Sequence, residues 1–210
     1  MVFSTPAVSG VTPRTRRRSD GERSRATILD EAARLATVDG LSGLSIARLA
    51  NAVGMSKSGL FAHFDSKENL QLATVERAEA IFTAQVIAPA SAGTALERLR
   101  AITDHYLRYV ASDTFPGGCF FASTLVEMSM QPGQVRDRLV SFLTDWLRRL
   151  ESMVRQAQAE GSIPPEQDAG QLAFELEAAL FLANTQYTVT RSAEPIDRAR
   201  HAIARLLTST

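Results

Sequence analysis

Ser45-Ile-Ala-Arg-Leu-Ala-Asn-Ala-Val-Gly-Met-Ser-Lys-Ser-Gly-Leu-Phe-Ala-His-Phe64 is the stretch that decides the fold. It reads as two helices of about eight residues each, Ser45 to Val53 and Lys57 to His63, with Ser45 as a cap. Gly54 supplies the backbone freedom that a sharp turn between them needs. Helices this short cannot bury their own apolar faces, so they must lean on the segments before and after. Ile46, Leu49, Ala50 and Val53 point inward from the first, and Leu60, Phe61 and Phe64 from the second. The second helix is thereby left outward, with Ser56, Lys57, Ser58 and Gly59 at its N-terminus. Free N–H groups, hydroxyls and an ammonium suit a phosphate, and a helix of this length fits a major groove.

Working outward, Ser19 and Glu22 have capping-box spacing. The helix they open carries Ile28, Leu29, Ala32, Ala33, Leu35 and Ala36 on one face and stops at Asp39-Gly40. Residues 1–18 hold Pro6, Pro13 and arginines without apolar periodicity, and read as a disordered basic arm. Asp65 and Glu68 form a second capping pattern, opening a long helix toward Val86 that Pro89 ends. Beyond it the spacing predicts four or five more helices, with a break at Pro116-Gly117-Gly118 and a short apolar helix from Cys119 to Met130. No segment alternates as a strand does. The fold class is all-α: a helix-turn-helix unit over residues 19–66 and a larger helical region over residues 67–210.

Composition agrees with a globular chain: 210 residues, 45% hydrophobic and 22% charged. No apolar run of about 18 residues is present, so no membrane span is expected, and the arginine-rich start is unlike a secretion signal. A single cysteine, Cys119, cannot form an internal disulfide and points to a reducing cytoplasm. The net charge of zero hides an asymmetry. Residues 1–70 carry ten Lys/Arg against seven Asp/Glu, and residues 71–210 carry thirteen against sixteen. Arg14, Arg16, Arg17, Arg18, Arg23 and Arg25 form the densest basic cluster, which favours a polyanion or is simply a solvated tail.

The segment from about Arg23 to Val75 resembles the DNA-binding domain of the TetR (tetracycline-repressor-like) family. The residues that carry the likeness are Gly40, Ile46-Ala47, Leu49-Ala50, Val53-Gly54-Met55-Ser56-Lys57, Leu60, His63-Phe64 and Ser66-Lys67-Glu68 with Leu70. The resemblance implies a homodimeric regulator, commonly a repressor, that leaves a near-palindromic double-stranded DNA operator when a small molecule binds. It implies phosphate contacts from Ser45, Arg48, Ser56, Lys57, His63 and Lys67, with Ser58 and Gly59 near base edges. Phe61 stands where the family often has Tyr, and Ala62 where a longer polar side chain is common, which removes two possible DNA contacts. The arm arginines are placed to reach an adjacent minor groove.

The last two helices usually form the family's dimer interface. The stripes Leu172, Leu176, Ala179, Ala183 and Ile196, Ala199, Ile203, Leu206 suit a four-helix bundle from two chains, or packing within one chain. Candidates to line an effector cavity are Phe82, Tyr106, Cys119, Phe121, Met128, Trp146, Phe174 and Phe181, with Glu177, Asn184 or Gln186 as polar anchors. No cofactor or metal is expected. Cys119 follows Gly117-Gly118 near a helix start, where thiol pKa values fall, so a cysteine-based electrophile or redox trigger is an alternative. A non-specific DNA-binding protein and an enzyme are the remaining rivals. His63, His105 and His201 lie on separate helices, and none of the motifs HExxH, GxSxG or a Gly-rich phosphate loop occurs.

Overall fold

The computed structural model describes residues 13–208, with side chains from residue 21 onward. Among these residues the chain forms nine α-helices and no strand: α1 (Pro13–Asp39), α2 (Ile46–Ala52), α3 (Lys57–Phe64), α4 (Lys67–Phe82), α5 (Ala95–Val110), α6 (Phe120–Met128), α7 (Gln134–Ala159), α8 (Ala169–Thr190) and α9 (Glu194–Leu206).

Local chemistry sets most of the boundaries. Ser45 caps α2 and Ser56 caps α3, each hydroxyl accepting a backbone N–H of the first turn. Gly54 adopts φ +68° between them, with open space around its Cα, so backbone conformation rather than crowding calls for glycine. Thr94 and Glu97 close a reciprocal capping box at the start of α5. Two expected starts are displaced. The cap of α4 is Ser66, which accepts from Asn69 N at 3.0 Å, whereas Asp65 closes α3 at φ 60°. Helix α1 begins at Pro13 rather than Ser19, because proline fits a first helical turn and arginine is a good helix former. Residues 1–12 of the expected arm lie outside the described residues, as do the side chains of Arg14, Arg16, Arg17 and Arg18. Helix α4 widens into a π-type turn over Thr83–Ile87 and tightens over Ala88–Ala90, where Pro89 removes a backbone donor.

Two apolar cores result. The smaller gathers Ile28, Leu29 and Ala32 of α1, Leu49 and Ala50 of α2, Leu60 and Phe64 of α3, and Leu70 and Ala73 of α4. The larger fills the space between α4 and α9 and extends to Ala33 and Ala36 of α1. Helices α1 and α4 therefore belong to both cores. Arg77 of α4 grips Asp30 of α1 with two hydrogen bonds, 2.6 and 3.1 Å, along this shared seam.

The outer faces differ from expectation in two places. Phe61, placed inward by spacing, is 46% exposed, because Leu60 and Phe64 already fill the side of α3 that meets the core. The stripes of α8 and α9 proposed as a bundle between two chains are spent within one chain: Leu172, Leu176, Ala183, Ile196, Ala199 and Ile203 are all buried. What α8 leaves outward is Phe174, Phe181, Leu182 and Val189. Among the described residues no helix is long and apolar enough to cross a membrane.

Candidate DNA-binding face and internal cavity

Helix α3 presents Ser56, Lys57 and Ser58 to solvent at its N-terminus. The Ser56 hydroxyl accepts from Gly59 N at 3.1 Å and lies 3.3 Å from the Ser58 hydroxyl. A Cβ at Gly59 would meet Ser56 Oγ at 3.0 Å, so a side chain there presses on the cap. His63 sits half-buried on the last turn, its ring tilted against Phe64 at 6.1 Å. Arg25 of α1 stacks its guanidinium over the Phe64 ring at 5.3 Å, which holds the rear of α3.

Two of the expected cationic contacts already have partners within the chain. Arg48 pairs with Asp39 at 2.5 Å, and Lys67 donates to Ser42 O at 2.6 Å. A guanidinium has five donors, so one ion pair does not exhaust Arg48. Lys67 ties down the turn that joins α1 to α2, and its exposed ammonium keeps two further donors.

That turn is restrained by side chains of both α4 and α6. Glu127 of α6 accepts from Leu41 N and Ser42 N, both at 2.7 Å. Gln71 of α4 donates to Leu41 O at 2.8 Å. Ser42 Oγ reaches Met128 Sδ and Gln131 Oε1, each at 3.2 Å. Gly40 makes the approach possible, since at φ +81° its Cβ would fall 2.8 Å from a Glu127 carboxylate oxygen. Sequence reading missed Glu127. Its only signal is that it is the sole charged side chain in Phe120–Met128.

Behind α6 lies an apolar cavity of about 690 Å³. Nine of the eleven residues put forward from the sequence line it: Phe82 from α4, Tyr106 from α5, Cys119, Phe121 and Met128 on and beside α6, Trp146 from α7, and Phe174, Glu177 and Phe181 from α8. Phe142 and Arg136 of α7 also line it and were not anticipated. Phe82 is the hub of the aromatic wall, meeting Tyr106, Tyr109, Phe121, Phe142 and Trp146 edge-on at 5.2–6.1 Å. Neither other proposed anchor lines the cavity. Asn184 is buried and accepts from Cys119 N at 2.7 Å, and Gln186 is exposed on α8.

Burial governs the ionisable groups here. Glu177 Oε2 accepts from Trp146 Nε1 at 2.6 Å, yet desolvation outweighs that bond and lifts the carboxyl to about 7. Cys119 stands at the start of α6 without a side-chain cap bond, and desolvation pushes its thiol up to about 11, opposed only in part by backbone donors and Tyr106. The lowered thiol pKa expected at a helix start is therefore corrected: loss of water dominates over the helix end. Tyr106, facing both Cys119 and Glu177, is also held well above its usual range by burial.

A helix-turn-helix on an all-helical body defines a DNA-binding regulator, and the relatives agree. Residues 28–74 match the family described as "Bacterial regulatory proteins, tetR family", and residues 95–203 match "Tetracyclin repressor-like, C-terminal domain". The chain is 30% identical over 153 residues to the HTH-type transcriptional repressor ComR of Escherichia coli (strain K12), spanning 71% of this chain and 72% of that one. A TetR transcriptional regulator from Chloroflexus aurantiacus superposes with a TM-score of 0.80 at 26% identity, covering 91% and 98% of the two chains. AibR, solved with isovaleryl coenzyme A and operator DNA, has the same fold at a TM-score of 0.71 and 24% identity, covering 89% of this chain and 100% of that one. The chain belongs to the TetR family of bacterial regulators, and is a DNA-binding transcriptional regulator of repressor type.

Two outcomes follow from this geometry. Glu127→Ala leaves two turn amides without their charged acceptor and is expected to cost about 2 kcal/mol, a fall in Tm of roughly 4–8 °C by calorimetry. Glu177 keeps its proton in the fold up to about pH 7, whereas its ordinary carboxyl value is 4.5. The fold thus loses stability as pH rises from 4.5 to 7, and the cost persists above that. Glu177→Gln is expected to gain roughly 2 kcal/mol at pH 8 and little at pH 4.5, read by denaturant unfolding at both pH values.

Proposed function

We propose that the protein is a cytoplasmic, homodimeric repressor that leaves a near-palindromic operator when a small molecule fills the cavity behind α6. The observation that carries this reading is a single short helix with two faces. One face of α6 lines the cavity through Phe121 and Met128, and the same helix supplies Glu127 to the α1–α2 turn. An occupant that displaces α6 pulls on the turn, and through Gln71 and Lys67 on α4 as well. A ligand acts only through its differential affinity for two arrangements, and α6 is the element whose position both sites bias.

On DNA, Ser56, Lys57 and His63 would meet backbone phosphates, with Ser45 and Arg48 flanking and Lys67 held back by Ser42. Ser58 and Gly59 would face base edges, and the exposed Phe61 ring suits the methyl group of thymine. Two recognition helices about one DNA turn apart, ~34 Å, would match a two-fold site. The second chain would cover the outward apolar face of α8, Phe174, Phe181, Leu182 and Val189, in place of the stripe that spacing suggested. AibR's isovaleryl coenzyme A and operator DNA supply a precedent in this fold for one chain holding both kinds of ligand. The protonated, buried Cys119 favours cavity occupancy over thiol chemistry as the trigger.

Selection from a random DNA pool with the full-length protein tests this reading. A near-palindromic site, bound by a particle of dimeric mass in light scattering, is expected. Lys57→Ala with His63→Ala is expected to weaken binding and lower the slope of log affinity against log salt by about 1–2. Equal affinity for all sequences would overturn the proposal.

A further inference from the structure

Resting on the ligand-responsive reading, we propose that the cavity recognises an organic cation: an apolar body carrying a protonated or quaternary nitrogen seated beside Glu177. The cavity wall is aromatic and aliphatic almost throughout, and Glu177 is its one carboxylate among the described residues. One of its oxygens is held by Trp146. No described cation forms an ion pair with it. Arg136, the single cation on the wall, is engaged elsewhere, with Ser129 O at 3.2 Å and Asp137 at 3.5 Å.

An uncompensated carboxylate in an apolar cavity is costly, and removing the cost takes a proton or a counter-charge. A ligand ammonium supplies that charge. The surroundings suit it further: Trp146 and Tyr106 lie nearly parallel at 23° with centroids 6.3 Å apart, and both line the cavity. Aromatic faces attract an ammonium most strongly where water is excluded. A neutral ligand would leave the ionised carboxylate uncompensated above about pH 7, and an anion would add repulsion to it.

Binding should then depend on pH through Glu177. The titratable groups facing it are Tyr106 of α5 and Cys119 at the start of α6, both raised by burial and so neutral through this window, while Arg136 of α7 lines the same cavity. A quaternary nitrogen has no proton to lose, so its affinity should rise with pH through about 7 as Glu177 ionises.

Equilibrium dialysis of the full chain separates the outcomes, with benzyltriethylammonium, its uncharged analogue with carbon in place of nitrogen, and 4-phenylbutyrate as probes. At pH 8 the cation is expected to bind roughly tenfold or more tighter than the uncharged analogue. Glu177→Gln should abolish that preference, and should also remove the fall in cation affinity between pH 8 and pH 5.5. Uncharged or anionic probes binding as tightly as the cation, or an unchanged preference in Glu177→Gln, would overturn the proposal while leaving an effector cavity in place. No binding by any probe, with operator affinity also unmoved by each, would overturn this proposal and the ligand-responsive reading together.

Discussion

A carboxylate gripping two backbone amides holds this structure's two halves in register. Glu127 reaches across 86 positions of sequence to Leu41 N, and the same side chain bonds Ser42 N. Hydrogen bonds to charged acceptors are stronger than neutral ones and demand closer geometry. The turn they restrain is the entry to α2, and α2 positions α3. Helix α3 is thus held at one remove by a residue of α6, whose Phe121 and Met128 belong to the larger core. Gly40 is the counterpart of this contact, because any other residue would put a side chain where the carboxylate sits.

The remaining architecture follows from sharing. Helices α1 and α4 contribute one part of their length to the small core and another to the large one, so neither core can shift without moving both helices. Close-packed interiors respond to an inserted volume by changing arrangement rather than by compressing. In the proposed function, the aromatic wall centred on Phe82 would pass such a change to α4 and α6. Glu177 and Cys119 show the electrostatic side of the same design: both are pushed toward their neutral forms by lack of water, which keeps the cavity suited to apolar ligands until a charge enters.

Much of this was legible in the sequence, for identifiable reasons. Helix-turn-helix chemistry is local: Ser45, Gly54 and Ser56 each act within four residues of themselves. The cavity residues were legible because large aromatics repeat at helical spacing on helices that must face one another. What escaped was non-local or competitive. Glu127 escaped because its partners are 85 and 86 positions away. Phe61 was misplaced because an eight-residue helix has room for few inward positions, and Leu60 and Phe64 take them. Ser66 displaced Asp65 as a cap because Asp65 was needed to end α3 at positive φ. The periodic stripe of α8 was real, but α9 of the same chain covers it, leaving Phe174 and Leu182 outward instead.

The measurement that tests coupling between cavity and DNA most directly needs no ligand. Ala122 lines the cavity from α6 and belongs to the larger core. Operator affinity of Ala122→Trp, with folding verified by circular dichroism, reports what filling the cavity does to the recognition helices. Loss of roughly tenfold or more in operator affinity, with the helical signal and cooperative melt retained, is the expected result. Unchanged operator affinity in a folded Ala122→Trp protein would contradict the account.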